Sequence, residues 1–361
     1  MKIAFFEIEQ KEVEYIKKWN QESGITNLEM IFSDQKLNKE NLEILRSTQN
    51  DNADAISVFV GSKIDADVIA AFPNLKLITT RSTGFDHIDL ELLKQKNIKT
   101  GYVPGYGDNT VAEFAFGLIL NLSRKMYQAI DRIKETEDFN YEGLKGFDLK
   151  GKTIGIVGTG RIGQYAIKIA KGFGMNVIAY DAFPKEELAK ELDFKYVSFD
   201  ELLAQSDVID IHVPYIPSTA AVAGQAGSGN NGTHHMINME NIGKIKKGAI
   251  LINTARGAIV ETDALVKALN DGILAGAGMD VLEEEGIVQD EKAFLLYGHP
   301  EEHNLKTALE NHVLMEMPNV LITPHTAFNT TEAIQRILDT DLVNIKEFIQ
   351  NGNTKFPIPE K

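Results

Sequence analysis

The stretch TIGIVGTGRIGQ, residues 153 to 164, constrains this chain more than any other. A short apolar run turns through glycines into a helical pattern, and Gly158, Gly160 and Gly163 match G-x-G-x-x-G. That pattern is informative when a strand precedes it, a helix follows, and an acidic residue ends the next strand about 20 residues on. All three conditions hold: TIGIVG precedes, RIGQYAIKIAKGFG follows, and Asp181 closes NVIAYD 18 residues past Gly163. The first glycine allows the tight turn, the second lets backbone approach a pyrophosphate, and the third lets helix pack on strand. The amides of Arg161 and Ile162, at the helix N-terminus, are expected to face the pyrophosphate. Asp181 is expected to accept hydrogen bonds from ribose hydroxyls and to repel a 2'-phosphate, which favours NAD over NADP.

Such a unit usually opens its own domain, yet here it begins near mid-chain. A chain of 361 residues is long for one core and fits two domains. From residue 2 to about 100 the runs KIAFFE, LEMIFS, DAISVFVG, LKLITTRS and IKTGYV alternate with amphipathic segments, which predicts a first parallel sheet covered by helices. A glycine-rich turn follows, with Asn109 or Thr110 as a cap, and then a single long helix that links two domains. Six further apolar runs, KTIGIVG, MNVIAYD, VIDIHVP, AILINTA, AGAGMDV and VLITPHT, predict a doubly wound second sheet. The last stretch, NTTEAIQRILDTDLVNIKEFIQNG, is helical with no strand after it. It is expected to return to the first domain, so that the second is an insertion and its fingerprint falls mid-chain. Docking of this helix on the second domain is the alternative. The expected fold is therefore α/β, with two Rossmann-like or flavodoxin-like doubly wound parallel-sheet domains. Residues 1–105 and 328–361 form a split substrate domain, and residues 106–327 an inserted NAD domain.

Composition removes whole classes of function. A formal charge of -15 without a local basic run disfavours nucleic acid and anionic lipid as partners. With no cysteine there is no disulfide, thiolate metal site or cysteine nucleophile, which fits a cytoplasmic location. The N-terminal apolar burst is too short for a signal peptide or a membrane span and reads as a first strand.

Two stretches interrupt the pattern. AAVAGQAGSGNNGT, residues 220–233, has four glycines, four alanines and no charge, which is linker chemistry. A surface excursion, an engineered insertion and a functional lid are the readings open to it; without it, HVPYIPST would run into HHMINMENI as a normal strand-to-helix connection. The other, beginning at Gly286, is a long polar connection of the kind that often walls an active site. It contains HPEEH, residues 299–303, a match to the zinc-protease pattern H-x-x-E-H, but Pro300 and the loop-like surroundings argue against two histidines on one helix face. His234 and His235 are expected to serve a helix N-terminus or a surface.

Ligands of open α/β sheets sit outside the carboxyl ends of the strands. There AILINTARG ends in Arg256, AGAGMDVLEEE carries Asp280 and Glu285, and VLITPHTAF carries His325. For a nicotinamide enzyme acting on a small 2-keto acid, an arginine supplies the planar fork that holds the substrate carboxylate. A histidine supplies the proton that the carbonyl oxygen takes up as hydride arrives. A carboxylate on the far ring nitrogen fixes the tautomer and raises the histidine pKa. Arg256, His325 and Glu285 take these roles, with Glu284 in reserve.

With these residues in hand, GTGRIG, INTARGAIVETDAL, GMDVLEEE and PNVLITPHTA resemble the D-2-hydroxyacid dehydrogenase family. RSTGFDHIDL and HHMIN resemble its D-lactate dehydrogenase branch, and the likeness covers nearly the whole chain. The resemblance implies NAD-dependent interconversion of 2-keto and D-2-hydroxy acids, with closure of the two domains over substrate, and a homodimer built through the NAD domains and the long helix. It assigns Arg256 to the substrate carboxylate, His325 to acid/base work and Glu285 to its support, with Asp280 near the nicotinamide. It further implies that Thr83 and Gly84 offer backbone N–H groups to substrate, that Tyr106 and Phe328 line the pocket, and that Val213, Pro214, Thr254 and Ala255 pack along the cofactor. Gly286 stands where many relatives have proline, and GSK replaces an aromatic residue after ISVFV, which predicts a roomier pocket.

Overall fold

The structure is a computed structural model and describes residues 1–42, 52–217, 232–289 and 304–359. The chain divides into two compact units, Met1–Tyr106 with Thr330–Lys361, and Gly107–Asn329. Most of the stretch 220–233, most of the long connection after Gly286 and all of HPEEH lie outside the described residues. No helix among the described residues is long and apolar enough to cross a membrane.

The first unit holds five strands: β1 (Lys2–Phe5), β2 (Glu29–Phe32), β3 (Ala55–Val58), β4 (Leu77–Thr80) and β5 (Lys99–Gly101). They pair in parallel in the order β2-β1-β3-β4-β5. β3 and β4 are buried at every position, the pattern of parallel strands covered on both faces. The helix Thr331–Asn351 belongs to this unit: Leu338, Leu342 and Ile345 pack with Ile3, Phe5 and Leu77. It also carries Asp341 into the interior. There Ser57 Oγ donates to Asp341 Oδ2 (2.8 Å) and accepts from Arg81 Nη1 (2.9 Å), while Arg81 Nη2 donates to the carbonyls of Phe6 (2.5 Å) and Glu7 (2.7 Å). Burial pulls the Arg81 guanidinium below its usual range and pushes the Asp341 carboxyl up, and the opposite charge of each partly offsets this. Ser57 bridges the two charges, and loss of either would leave the other buried without compensation. Arg81 thereby anchors the carboxyl end of β4, where the loop 82–84 begins.

The second unit holds β6 (Thr153–Val157), β7 (Asn176–Tyr180), β8 (Lys195–Tyr196), β9 (Val208–Ile211), β10 (Ala249–Asn253), β11 (Leu274–Met279) and β12 (Val320–Ile322). The order is β12-β11-β10-β9-β6-β7-β8, again all parallel. Strand order reverses between β6 and β9, so a crevice opens at their carboxyl ends. Sequence periodicity gives six strands here; β8 escapes it because two residues at a sheet edge are too few to show a period.

The single long helix expected after residue 107 is two. Asp108–Arg124 buries Ala112, Ala115, Phe116 and Ile119, and the helix Met126–Thr136 that follows buries nothing. Lys125 stands between them at φ 50. The chain returns at this point, and Phe147 N–H donates to the Ser123 carbonyl (2.8 Å) that a continuous helix would have used. The N-cap is Gly107 rather than Asn109 or Thr110, which lie within the first turn. HHMINMENI likewise gives only a 3-10 turn at Ile242–Lys244, because Asn238 and Asn241 close tight turns through their side chains.

Candidate active site

The glycine turn after β6 separates the three roles expected of its glycines. Gly158 has φ 98, and a Cβ there would stand 2.8 Å from the His212 carbonyl. A Cβ on Gly163 would stand 2.0 Å from the Gly158 carbonyl, so the helix Arg161–Gly172 sits directly on the strand end. A Cβ on Gly160 would meet nothing within 4 Å. That open cradle lies at the N-cap of the helix, before the amides of Arg161 and Ile162, and fits a dinucleotide pyrophosphate. Nearby, the buried Thr254 Oγ1 has no hydrogen-bond partner among the described residues, as suits a group awaiting a ligand. Ala255 N donates to Asn253 Oδ1 (3.0 Å), and Pro214 O accepts from Thr233 Oγ1 (2.6 Å); Val213 packs on the core beside them. Thr233 N also donates to Ile216 O (2.9 Å), so the described ends that flank residues 218–231 are bonded to each other.

Arg256, Glu285 and His325 come from the ends of β10, β11 and β12; His325 and Glu285 meet, and Arg256 stands close enough for its charge to act on Glu285. His325 Nδ1 lies 2.8 Å from Glu285 Oε1, and Leu282 N–H donates to Glu285 Oε2 (3.3 Å). Burial alone would raise the Glu285 carboxyl; the His325 hydrogen bond and charge, the Leu282 amide and the Arg256 charge bring it below its usual value. Arg256 Nη1 donates to the Ala255 carbonyl (2.8 Å), which orients the guanidinium. His325 itself stands at φ 51, a left-handed conformation that something must hold. Asp280 does so. Its Oδ1 accepts from Thr323 Oγ1 (2.5 Å) and Thr326 N (2.9 Å), its Oδ2 from Ala327 N (2.8 Å), and its carbonyl from His325 N (2.9 Å). The carboxylate expected beside the nicotinamide is thus 1% exposed and engaged in fixing the turn that presents His325 and leads to Phe328.

The three consecutive glutamates have three different partners. Glu284 Oε1 accepts from Asn304 N (3.1 Å), and the carboxylate bonded to His325 Nδ1 is that of Glu285. Glu283 Oε1 is 2.6 Å from His235 Nε2, and its Oε2 accepts from Thr262 N (2.8 Å) and Thr262 Oγ1 (2.7 Å). His235 thus serves the N-terminus of the helix Thr262–Asn270 indirectly, through Glu283, and residue spacing offers no signal for that pairing. A Cβ on Gly257, the residue after Arg256, would stand 2.0 Å from the Leu282 carbonyl carbon. The Arg256 turn and the Glu283 segment are consequently locked together.

In the first unit, Thr83 is exposed and its Oγ1 donates to the Val103 carbonyl (2.8 Å), while Gly84 O accepts from Ser82 Oγ (2.5 Å). The Tyr106 carbonyl accepts from Arg336 Nε (2.7 Å). Sequence reasoning missed Glu7, whose carboxylate accepts from Phe59 N (3.0 Å), Gly61 N (2.8 Å) and Ser62 Oγ (2.5 Å) and so sets the loop after β3.

Fold and site together define a dehydrogenase-like pairing of a dinucleotide crevice with an arginine, a histidine and a carboxylate. Residues 3–359 match the family described as D-isomer specific 2-hydroxyacid dehydrogenase, catalytic domain, and the chain belongs to that family of oxidoreductases acting on CH–OH groups. It is 36% identical to a 2-hydroxyacid dehydrogenase homolog of Zymomonas mobilis over 96% of each chain. It is 35% identical to an aromatic 2-oxoacid reductase of Clostridium sporogenes over 78% of each. Among solved structures, D-lactate dehydrogenase of Aquifex aeolicus complexed with NAD and lactic acid superposes with a TM-score of 0.79 at 34% identity, covering 99% of this chain and 100% of that one.

Proposed function

We propose that the protein is an NAD-dependent D-2-hydroxyacid dehydrogenase whose substrate pair is pyruvate and D-lactate. The observation that carries this reading is the His325–Glu285 hydrogen bond with the charge of Arg256 acting on the same carboxylate. NADH, when bound, supplies the hydride that reduces the C2 carbonyl. Gly158, Gly160 and Gly163, the amides of Arg161 and Ile162, and Asp181 hold the nucleotide, with Val213, Pro214, Thr254 and Ala255 beside it. Glu285 takes His325 Nδ1, which leaves Nε2 to give its proton to the C2 oxygen as that oxygen gains charge. The Arg256 guanidinium holds the substrate carboxylate, and its fork fixes orientation as well as charge. Asp280 keeps the histidine turn in place. The backbone N–H groups of Thr83 and Gly84, with Tyr106 and Phe328, contact the substrate. The Aquifex aeolicus likeness supports lactate, whereas the Clostridium sporogenes likeness and the small Gly61 support a larger 2-oxo acid as the second reading.

Steady-state oxidation of NADH with a panel of 2-oxo acids tests both. Pyruvate is expected to give the highest kcat/KM, and Arg256→Ala and His325→Ala are each expected to lower it by about 100-fold or more. Unchanged rates in the two variants would reject the site.

A homodimer is part of this reading. The helix Met126–Thr136 buries none of its residues and exposes Met126, Tyr127, Ile130 and Ile133, and Phe139 and Tyr141 beyond it are 92% and 89% exposed. An apolar surface of that extent is characteristic of an interface.

A further inference from the structure

Asp181, at the end of β7, is already bonded inside the chain. Its Oδ2 accepts from Thr159 N (2.7 Å) and Thr159 Oγ1 (2.8 Å), and its Oδ1 accepts from Phe183 N (2.9 Å). Thr159 lies within the glycine turn and is 4% exposed, and its Oγ1 is also 2.9 Å from the Tyr196 hydroxyl on β8. Gly158 N–H donates to the Tyr180 carbonyl (2.8 Å), which holds the turn against the end of β7.

Counting protons gives this chain a direction. A threonine hydroxyl carries one proton and a carboxylate only accepts, so Thr159 must donate to Asp181. Tyr196 must then donate its phenolic proton to Thr159. Every proton of the chain is used within it, and what the chain has left to offer a ligand is acceptors: the remaining lone pair of Asp181 Oδ1 and those of the Tyr196 oxygen. Among the described residues no lysine or arginine pairs with Asp181.

We propose that Tyr196, Thr159 and Asp181 form a nucleotide-selectivity device, resting on the dinucleotide reading above. Thr159 is a positioning residue that aims Asp181. Tyr196 completes an edge made only of acceptors. A ribose diol brings two hydroxyl donors to that edge and is bound; a 2'-phosphate brings only acceptors and negative charge and is refused. Discrimination thus comes from the direction of three hydrogen bonds as well as from the charge of one carboxylate.

The test uses the full chain and its Thr159→Val, Thr159→Ser and Tyr196→Phe variants. Dissociation constants for NADH and NADPH are measured by titration calorimetry, KM and kcat with pyruvate, and melting temperature as a check on folding. Thr159→Val and Tyr196→Phe are expected to raise Kd and KM for NADH roughly 3- to 10-fold, the effect of one hydrogen bond, and to narrow the preference for NADH over NADPH. The change should fall on KM rather than kcat. Thr159→Ser, which keeps the hydroxyl, should stay within about twofold of the parent. NADH affinity unaltered in both hydroxyl-deleting variants overturns the proposal, as does a loss confined to kcat. Should Thr159→Val fail to fold, Tyr196→Phe decides alone. A parent chain that binds neither nucleotide overturns the dinucleotide reading itself; a parent that binds NADH beside indifferent variants removes only this device.

Discussion

At the scale of single residues, the three fingerprint glycines look alike in sequence and are not alike in space. Gly160 faces a void and Gly163 faces backbone. Gly160→Ala is therefore expected to keep its melting temperature while losing NADH affinity by about tenfold or more, because the methyl occupies the pyrophosphate cradle. Gly163→Ala is expected to lose about 3 kcal/mol of stability, since the Gly158 carbonyl cannot move aside without parting helix from strand. Calorimetric melting beside NADH titration separates the two, and a Gly160→Ala protein that unfolds early yet binds NADH normally would contradict the assignment. The spacing of the motif made these roles legible. The glutamate run was legible only in part: its strand-end position offered Glu285, with Glu284 in reserve, for His325, the likeness to the family chose Glu285, and nothing local says that Glu283 holds His235 and Glu284 holds Asn304. Those partners come from segments 20 to 48 residues away.

At the scale of elements, the His235–Glu283 contact joins the turn before β10 to the segment after β11, next to Gly257 and the Arg256 turn. The hydrogen bond with Glu283 raises the His235 pKa, with burial acting the other way. Burial would raise the Glu283 carboxyl, but the bonds from His235 and Thr262 bring it down. Folding thus favours the protonated imidazole. Its contribution to stability is complete below the ordinary histidine value of about 6.5 and is lost as pH climbs through the raised folded value. The difference in melting temperature between the parent and His235→Gln should be widest near about pH 6 and should close toward about pH 9. A difference independent of pH would show that the ion pair contributes nothing. Elements with long periodic runs were readable from sequence; the break at Lys125 was not, because the Phe147 amide that takes the Ser123 carbonyl arrives from another part of the chain.

At the scale of the whole molecule, the unburied helix Met126–Thr136 bears on the assembly. Light scattering of the purified chain is expected to give a dimer mass, and Ile130→Glu, which sets a charge at the centre of the exposed apolar strip, is expected to give a monomer. A parent that is monomeric at micromolar concentration would refute the dimer. Alternation of apolar runs with amphipathic segments, glycine spacing and strand-end residue types determined from sequence alone that the chain is α/β, that it carries a dinucleotide turn after β6, and that Arg256, Glu285 and His325 belong to strand ends. These features are local, and periodicity of two or 3.6 residues records local geometry. Only the tertiary structure decided that Asp280 holds the histidine turn, that Arg81 and Asp341 anchor the first sheet, and that Tyr196 reaches Thr159 across the intervening strand β7. Each of these is a hydrogen bond between groups far apart along the chain, and a direction in space that links them has no period to betray it.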